Sequence, residues 1–333
     1  MATAAPLDIP ALSPGSRVQH ELLVYDRAEK KTNAGDPFVV LKLGNASGTI
    51  ETAPIWSDKL HWAEGADNGR VVQAIGDVTI YSRGGPGRKQ LSISAPVRPI
   101  PQELVNIDEF LPRITHDVAK LWAMIDKMRD EVESARLRRV LGLFYDDEEF
   151  RLAFERTPGS TGGHHAKIGG LLLHVWEVAR IAKQTAVTMR ANVDLVVAGA
   201  LLHDVGKVES YTVGPGGFTF TPCGLLVGHI VLGVMMLERR LAKLGEPLCT
   251  EGQLLELQHM ILSHHGQLEY GSPVTPMTTE AEIVHWADES SAKASSFSDA
   301  QADASLFPES SEISDRVWTL DNRRIWQKPH TWD

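Results

Sequence analysis

Apolar and polar residues alternate in short runs between residues 16 and 98, and from Ile114 onward the apolar positions recur every three or four residues. The first rhythm is that of strands with one buried face; the second is that of amphipathic helices. RVQHELLVYDRAEKK, FVVLKLGNA and TIETAPIW are predicted as three strands, separated by turns at Asn33–Pro37 and Asn45–Gly48. Residues 57–66 are predicted to hold a short helix. RVVQAIGDVTIYS and QLSISAPVRPI read as two further strands, joined by a glycine-rich loop at 83–89.

Five strands with a helix between the third and fourth is the pattern of an OB-fold barrel; an SH3-like barrel has five strands without that helix. The expected organisation is therefore a β-barrel at 16–98, a proline-rich linker at 99–113, an all-helical domain at 114–297, and a tail at 298–333 that packs on the body. Val118, Leu121, Ile125, Met128 and Val132 mark the first helical face. Asp194 is expected to cap the helix DLVVAGALLHDV, with Gly206 ending it, and Thr279 with Glu282 to form a capping box. The Ser-, Ala- and Asp-rich segment 294–313 is expected to be partly loose.

A length of 333 residues allows two domains, and 43% hydrophobic residues suffice for a sizeable core. A net charge of −10 argues against a protein that coats nucleic acid electrostatically, though not against a local basic loop. The acidic run Asp146–Glu149 reads as a solvated helix start. No apolar run is long enough for a membrane span, and the first residues do not read as a signal peptide. Cys223 and Cys249 are the sole cysteines, a usage that fits a reducing cytoplasm.

Against this background six residues stand out: His174, the adjacent His203 and Asp204, His229, His264 and Asp288. Imidazoles mixed with carboxylates suit Mn²⁺, Fe²⁺, Co²⁺, Ni²⁺ or Zn²⁺. One carboxylate among several imidazoles can bridge two ions, and two ions about 4 Å apart can clamp the attacking and leaving oxygens of a phosphate. Phosphoester hydrolysis is the chemistry this predicts, with Asp204 as the bridge. Each residue alone has a plainer reading: a helix-end histidine with a solvated aspartate, or a core histidine with one hydrogen bond. The apolar run ALL before His203–Asp204 argues against it, since a buried unpaired aspartate is costly. Of His264 and His265, His264 is expected as the ligand and His265 as a phosphate contact or proton donor. Lys207 is a point charge for phosphate or for a helix end. His164 and His165 are either surface-loop residues or phosphate contacts, and His285 is a residue that supports Asp288.

These residues and their surroundings resemble the HD-domain metallophosphohydrolases: GGLLLHVWEVA, ALLHDVGKV, GHIVLG, ILSHHG and EIVHWADESSAK occur in that family's order. The text HHGQLEYGSPVTP lacks the GYP tripeptide of the cyclic-dinucleotide phosphodiesterases. With the barrel segment GDPFVVLKLGNASGTIETAPIW and the tail VWTLDNRRIW, the chain from about residue 16 resembles the YhaM-type 3′-to-5′ exoribonucleases. The resemblance implies a cytoplasmic hydrolase, dependent on two divalent ions such as Mn²⁺ or Co²⁺. Its implied substrate is the 3′ end of single-stranded RNA, with DNA a second substrate and a homo-oligomer the assembly. OB barrels bind single strands with aromatic platforms and basic loops. Tyr25, Phe38, Trp56 and Tyr81 are the aromatic candidates and Lys30, Lys31, Arg83, Arg88 and Lys89 the basic ones; Phe38 and Trp56 equally suit the barrel core. A hydrolase of small nucleotides with the barrel as an interaction module, and a binding protein with a vestigial site, are the other readings. The complete ligand set argues against the last.

Overall fold

The computed structural model describes residues 7–82, 87–214, 217–303, 306–308, 311–317 and 320–327. The chain divides into two compact units. One holds the described residues up to Pro112, with Val213, Gly214, Gly217 and those from Ala300 on; the other holds 113–212 and 218–299.

The first unit is a barrel. Its strands are β1 (Arg17–Lys31), β2 (Pro37–Asn45), β3 (Gly48–Thr52), β4 (Ile55–Trp56), β5 (Val71–Tyr81), β6 (Arg88–Ile93) and β7 (Arg98–Pro99). β1 pairs antiparallel with β2 through its second half and with β5 through its first half. A register shift between Val24 and Asp26 gives this long strand the bend that serving two neighbours requires. β2 pairs with β3, β3 runs parallel to β6, and β6 pairs with β5, so the path returns to β1 and the barrel closes on five strands. A 3-10 helix, Ser57–Ala63, lies between β3 and β5. Closure with that helix is OB-like, not SH3-like. Leu22, Leu41, Leu43, Val72 and Leu91 fill the interior.

Two predicted strands are broken. TIETAPIW splits into β3 and β4, because Pro54 lacks the N–H that a continuous ladder needs. QLSISAPVRPI splits likewise around Pro96, and its second piece, β7, pairs with the far end of β5. Arg88 and Lys89, expected in a loop, lie on β6 opposite Tyr81 and Ile80, and Lys30 and Lys31 end β1.

The second unit is built from α1 (Val118–Asp130), α2 (Ala135–Tyr145), α3 (Glu148–Arg156), α4 (Gly170–Met189), α5 (Val193–Leu202), α6 (Lys207–Ser210), α7 (Pro222–Leu226), α8 (His229–Ala242), α9 (Glu251–Ser263) and α10 (Thr279–Ala302). One core, with Phe144, Tyr145, Leu172, Val178, Leu201 and Ile261 among its members, joins these helices apart from α7. α4 and α5 are its centre, and from Val196 to Leu202 α5 is apolar on every side because it is buried on every side.

The helical reading missed a hairpin, β8 (Tyr211–Gly214) with β9 (Gly217–Phe220), whose four-residue strands are too short for a periodicity to register. The caps also differ from expectation. Asn192 caps α5, and Asp194 instead accepts from the backbone N–H groups of Glu133 and Ser134. Thr278 caps α10, while Glu282 accepts from the Trp286 indole. α10 continues to Ala302, so the first part of the segment read as loose is helical. The acidic run does start a helix: Asp147 caps α3 and pairs with Arg240.

Candidate metal centre

The end of α5 sets the site. The Tyr145 hydroxyl donates to the Leu201 carbonyl at 2.6 Å, fixing the last turn of the helix, and His203 follows as its C-cap. The chain then turns sharply through Asp204–Gly206 into α6. Gly206 is required by close approach: a Cβ there would sit 1.9 Å from the His229 carbonyl oxygen. The missing side chain lets the start of α8, and with it His229, come against the turn that carries Asp204. His174 arrives from α4, Asp288 from α10, and His264 and His265 from the turn after α9.

The side chains converge in two overlapping halves. His174, His203 and Asp288 place ligand-type atoms within 4.8 Å of one another, as do His229, His264 and His265. Asp204 faces both. Its Oδ2 lies 3.4 Å from His174 Nε2 and 3.3 Å from His203 Nε2. Its Oδ1 lies 3.4 Å from His229 Nε2 and 3.6 Å from His264 Nε2. Asp204, His174, His203 and His264 are fully buried.

Four imidazoles are oriented from behind. His203 Nδ1 donates to Ala200 O, His264 Nδ1 to Ile261 O, and His265 Nδ1 to Tyr270 O, at 2.7 to 2.8 Å. His174 Nδ1 donates to Ser291 Oγ, which donates in turn to Glu177. Each bond turns Nε2 to the inner side, the arrangement that metal-bound histidines show. His165, the fourth member of the Ser291 cluster, has Nε2 3.2 Å from Glu177 and is buried. His165 Nε2 is thus occupied by protein, whereas the His164 ring stands 5.9 Å from His174, centroid to centroid, with no such partner among the described residues.

Asp204 Oδ1, His229 Nε2 and His264 Nε2 are buried without a hydrogen-bond partner. Such orphans are costly unless something absent from a bare polypeptide satisfies them. Donors on one ion at metal–ligand distances of about 2.1 Å stand about 3.0–3.4 Å apart, close to the separations found here. The donor set thus fits a divalent cation.

The electrostatics suit the same purpose. Burial pushes the His229 ring down to about 3, and burial holds His264 well below the usual imidazole range, so both stay neutral. For His174 burial is outweighed by hydrogen bonds to Asp204 and Asp288, which lift it to about 9. Burial acts against the Asp204 and Asp288 carboxylates, but the charge of Lys207 for the first and the hydrogen bond from His174 for the second hold both well below the usual range. Burial pushes His164 down to about 3.

All six predicted metal ligands therefore meet in one place, and His265 joins them at the distance of a ligand. Glu177 and Ser291 were not singled out in advance. Each lies three residues past a ligand, His174 and Asp288, on the same helix face, and that spacing is the signal that finds them. Trp286 is exposed. His259 accepts from Met277 N–H outside the site. Of the barrel candidates, Tyr25 donates its hydroxyl to Phe110 O, and Lys89 reaches Pro10 O. Trp56 is 48% exposed and leans on Phe38, centroids 5.2 Å apart. Arg83 lies outside the described residues.

The HD domain family matches residues 171–293 of the chain. The chain is similar to the "3'-5' exoribonuclease YhaM" of Bacillus subtilis, with 34% identity over 94% of this chain and 95% of the relative. The protein of the same name from Bacillus licheniformis is 33% identical and that from Listeria innocua 32%, each over the same shares of the two chains. No solved structure matches the chain.

Proposed function

The chain belongs to the family of the 3′-5′ exoribonuclease YhaM, and we propose on that premise that its helical unit removes nucleotides from the 3′ end of RNA with two divalent ions held by the histidine–aspartate cluster. It is a metal-dependent hydrolase of phosphodiester bonds. The observation that carries the two-ion reading is the double-faced Asp204, with one oxygen turned to His174 and His203 and the other to His229 and His264.

His174, His203, Asp204 and Asp288 would hold one ion and Asp204, His229, His264 and His265 the other; the mix of imidazole and carboxylate suits Mn²⁺, Fe²⁺, Co²⁺, Ni²⁺ or Zn²⁺, and the resemblance to the exoribonucleases implies Mn²⁺ first. Bound there, the ions supply Lewis acidity, which acidifies water and offsets charge on a phosphate. The chain's residues do the rest. The backbone carbonyls and Ser291 hold the imidazoles rigid, so no reorganisation is needed when substrate arrives. The two carboxylates offset the charge of the ions in a dry site. His164, kept neutral by burial, offers a hydrogen bond to the substrate's phosphate. Lys207 acts on substrate through Asp204, not by direct contact, because its charge is already paired.

The OB-like barrel supplies the surface for single strands, RNA first and DNA second, through Trp56, Lys30, Arg88 and Lys89 with Arg83. A barrel that reads unpaired bases does not admit a duplex, so paired RNA should stall the enzyme. The test is to incubate the protein with Mn²⁺ and 5′-labelled single-stranded or duplex RNA and DNA. A ladder shortening from the 3′ end of the single strand, abolished by chelator, is the expected result. Equal digestion of blunt duplex, or hydrolysis of mononucleotides alone, would reject the reading; the latter would favour a small-nucleotide hydrolase.

A further inference from the structure

His285 lies on α10 one turn before Asp288, and its ring faces the turn after α9. Its Nδ1 donates to the His264 carbonyl oxygen at 2.9 Å. Gly266 has a positive φ of +76°, and a Cβ on it would lie 2.2 Å from His285 Cε1 and 2.4 Å from Nε2. The imidazole is therefore laid flat against the backbone of the turn that presents His264 and His265. No other side chain of α10 has a described hydrogen bond to that turn. The exposed Trp286 ring, 5.1 Å from the His285 ring, flanks it.

We infer that His285 is a positioning residue for the His229–His264–His265 half of the centre: it docks the α9 turn onto the helix that carries Asp288 and so sets the spacing between the two halves. This rests on the two-ion reading above. The residue touches no ion itself. Its donor fixes the His264 backbone, from which the His264 and His265 rings project with centroids 4.4 Å apart, His264 anchored to Ile261 O and His265 to Tyr270 O. Without the His285 donor the turn can shift, and both Nε2 atoms shift with it. The other half keeps its own supports, Ala200 O for His203 and Ser291 for His174. The loss should therefore be one-sided.

The test measures bound Mn²⁺ per chain, by elemental analysis and calorimetric titration of the chelated full-length protein, for wild type, His285→Asn, His285→Gln and Gly266→Ala. Asn places an amide donor where Nδ1 stands; Gln places it beyond. Wild type and His285→Asn are expected to take two ions. His285→Gln and Gly266→Ala should keep one and bind the second about 10- to 100-fold more weakly, the usual size of an outer-contact effect. Circular dichroism of the chelated proteins checks that all are folded, and should His285→Gln not fold, Gly266→Ala against His285→Asn still decides. Two ions bound with wild-type affinity by His285→Gln or Gly266→Ala overturns the assignment, as does equal weakening of both ions. A wild type that takes only one ion instead overturns the two-ion reading, which separates that failure from this one.

Discussion

The Lys207 ammonium lies 2.6 Å from Asp204 Oδ2, and both side chains are buried. The ammonium shares the oxygen that faces His174 and His203, while Oδ1 faces the other half. A buried carboxylate stripped of its partner costs about 3–5 kcal/mol. Lys207→Met should therefore lower the melting temperature of the chelated protein strongly. Divalent cations also compensate Asp204, so the same variant should lose much less stability when loaded with Mn²⁺. Melting curves with and without chelator check this. Equal losses in both states would mean that Lys207 stabilises by packing, not by charge.

Asp204 is the one side chain that both halves share. Asp204→Ala should reduce bound metal from two equivalents and bring hydrolysis down by more than the roughly 10²–10³-fold that removal of one electrostatic contact costs. Elemental analysis beside the RNA ladder assay measures both. Unchanged metal content with full activity would remove the bridge from the mechanism.

Chelation should expose a pH dependence. An unperturbed imidazole titrates near 6.5, whereas folded His229 is lowered to about 3. The stability contributed by a lowered group is present above its unfolded value and is lost as pH falls from there toward the folded value. His264 shifts in the same sense. His174 is raised to about 9, so its contribution is present below the unfolded value and lost as pH rises through 9. His164 and His165 are lowered as well, so the lowered groups outnumber the raised one and the chelated protein should melt lower at about pH 5 than at about pH 7.5. Bound metal, which competes with protons for the same nitrogens, should flatten the profile at the neutral end.

Much of this site was legible because its chemistry is carried by residue type. His174, His203, Asp204, His229, His264 and Asp288 are recognisable as donors wherever they fall, and the apolar ALL before His203 already said that the pair is buried. The β-barrel was legible through alternation, and β1 appears with the ends read from sequence. What failed was local competition between equivalent residues. Asn192 and Asp194 are both good caps, as are Thr278 and Thr279, and partners distant in sequence decide between them: Asp194 is taken by the backbone at Glu133 and Ser134. The part of His165 was likewise hidden, since nothing in STGGHH tells which imidazole turns inward to Glu177. Lys207 reads from sequence as a charge for phosphate or for a helix end, and the fold pairs it with Asp204.

Gly206 tests how tightly the turn is packed. In Gly206→Ala the new methyl would meet backbone, His229 O at 1.9 Å and Gly233 N at 2.5 Å, neither of which can swing aside. α8 must retreat, at a cost of about 1–3 kcal/mol for overpacking. The expected outcome is a lower melting temperature and weaker binding of one ion, since His229 begins α8. A variant with wild-type metal content and melting point would show that α8 moves freely.

Lys30, Phe38 and Trp56 occupy directly opposed positions on β1, β2 and β4, and so line one face of the barrel. Phe38 supports the exposed Trp56 ring from the side, as a stacking platform requires, and Lys30 adds a cation at the end of the row. Loss of one stacked base costs about 1–3 kcal/mol. Trp56→Ala should therefore raise KM for long RNA by roughly tenfold or more while kcat on a small chromogenic phosphodiester stays at the wild-type value. Lys30→Glu should weaken RNA binding and flatten its salt dependence, by about 0.7 in slope for each phosphate that is no longer neutralised. Steady-state kinetics across a salt series measures both effects. An unchanged KM and salt slope in the Trp56→Ala, Lys30→Glu double variant would mean that this face does not carry RNA, and the barrel would then be better read as a module for binding other proteins.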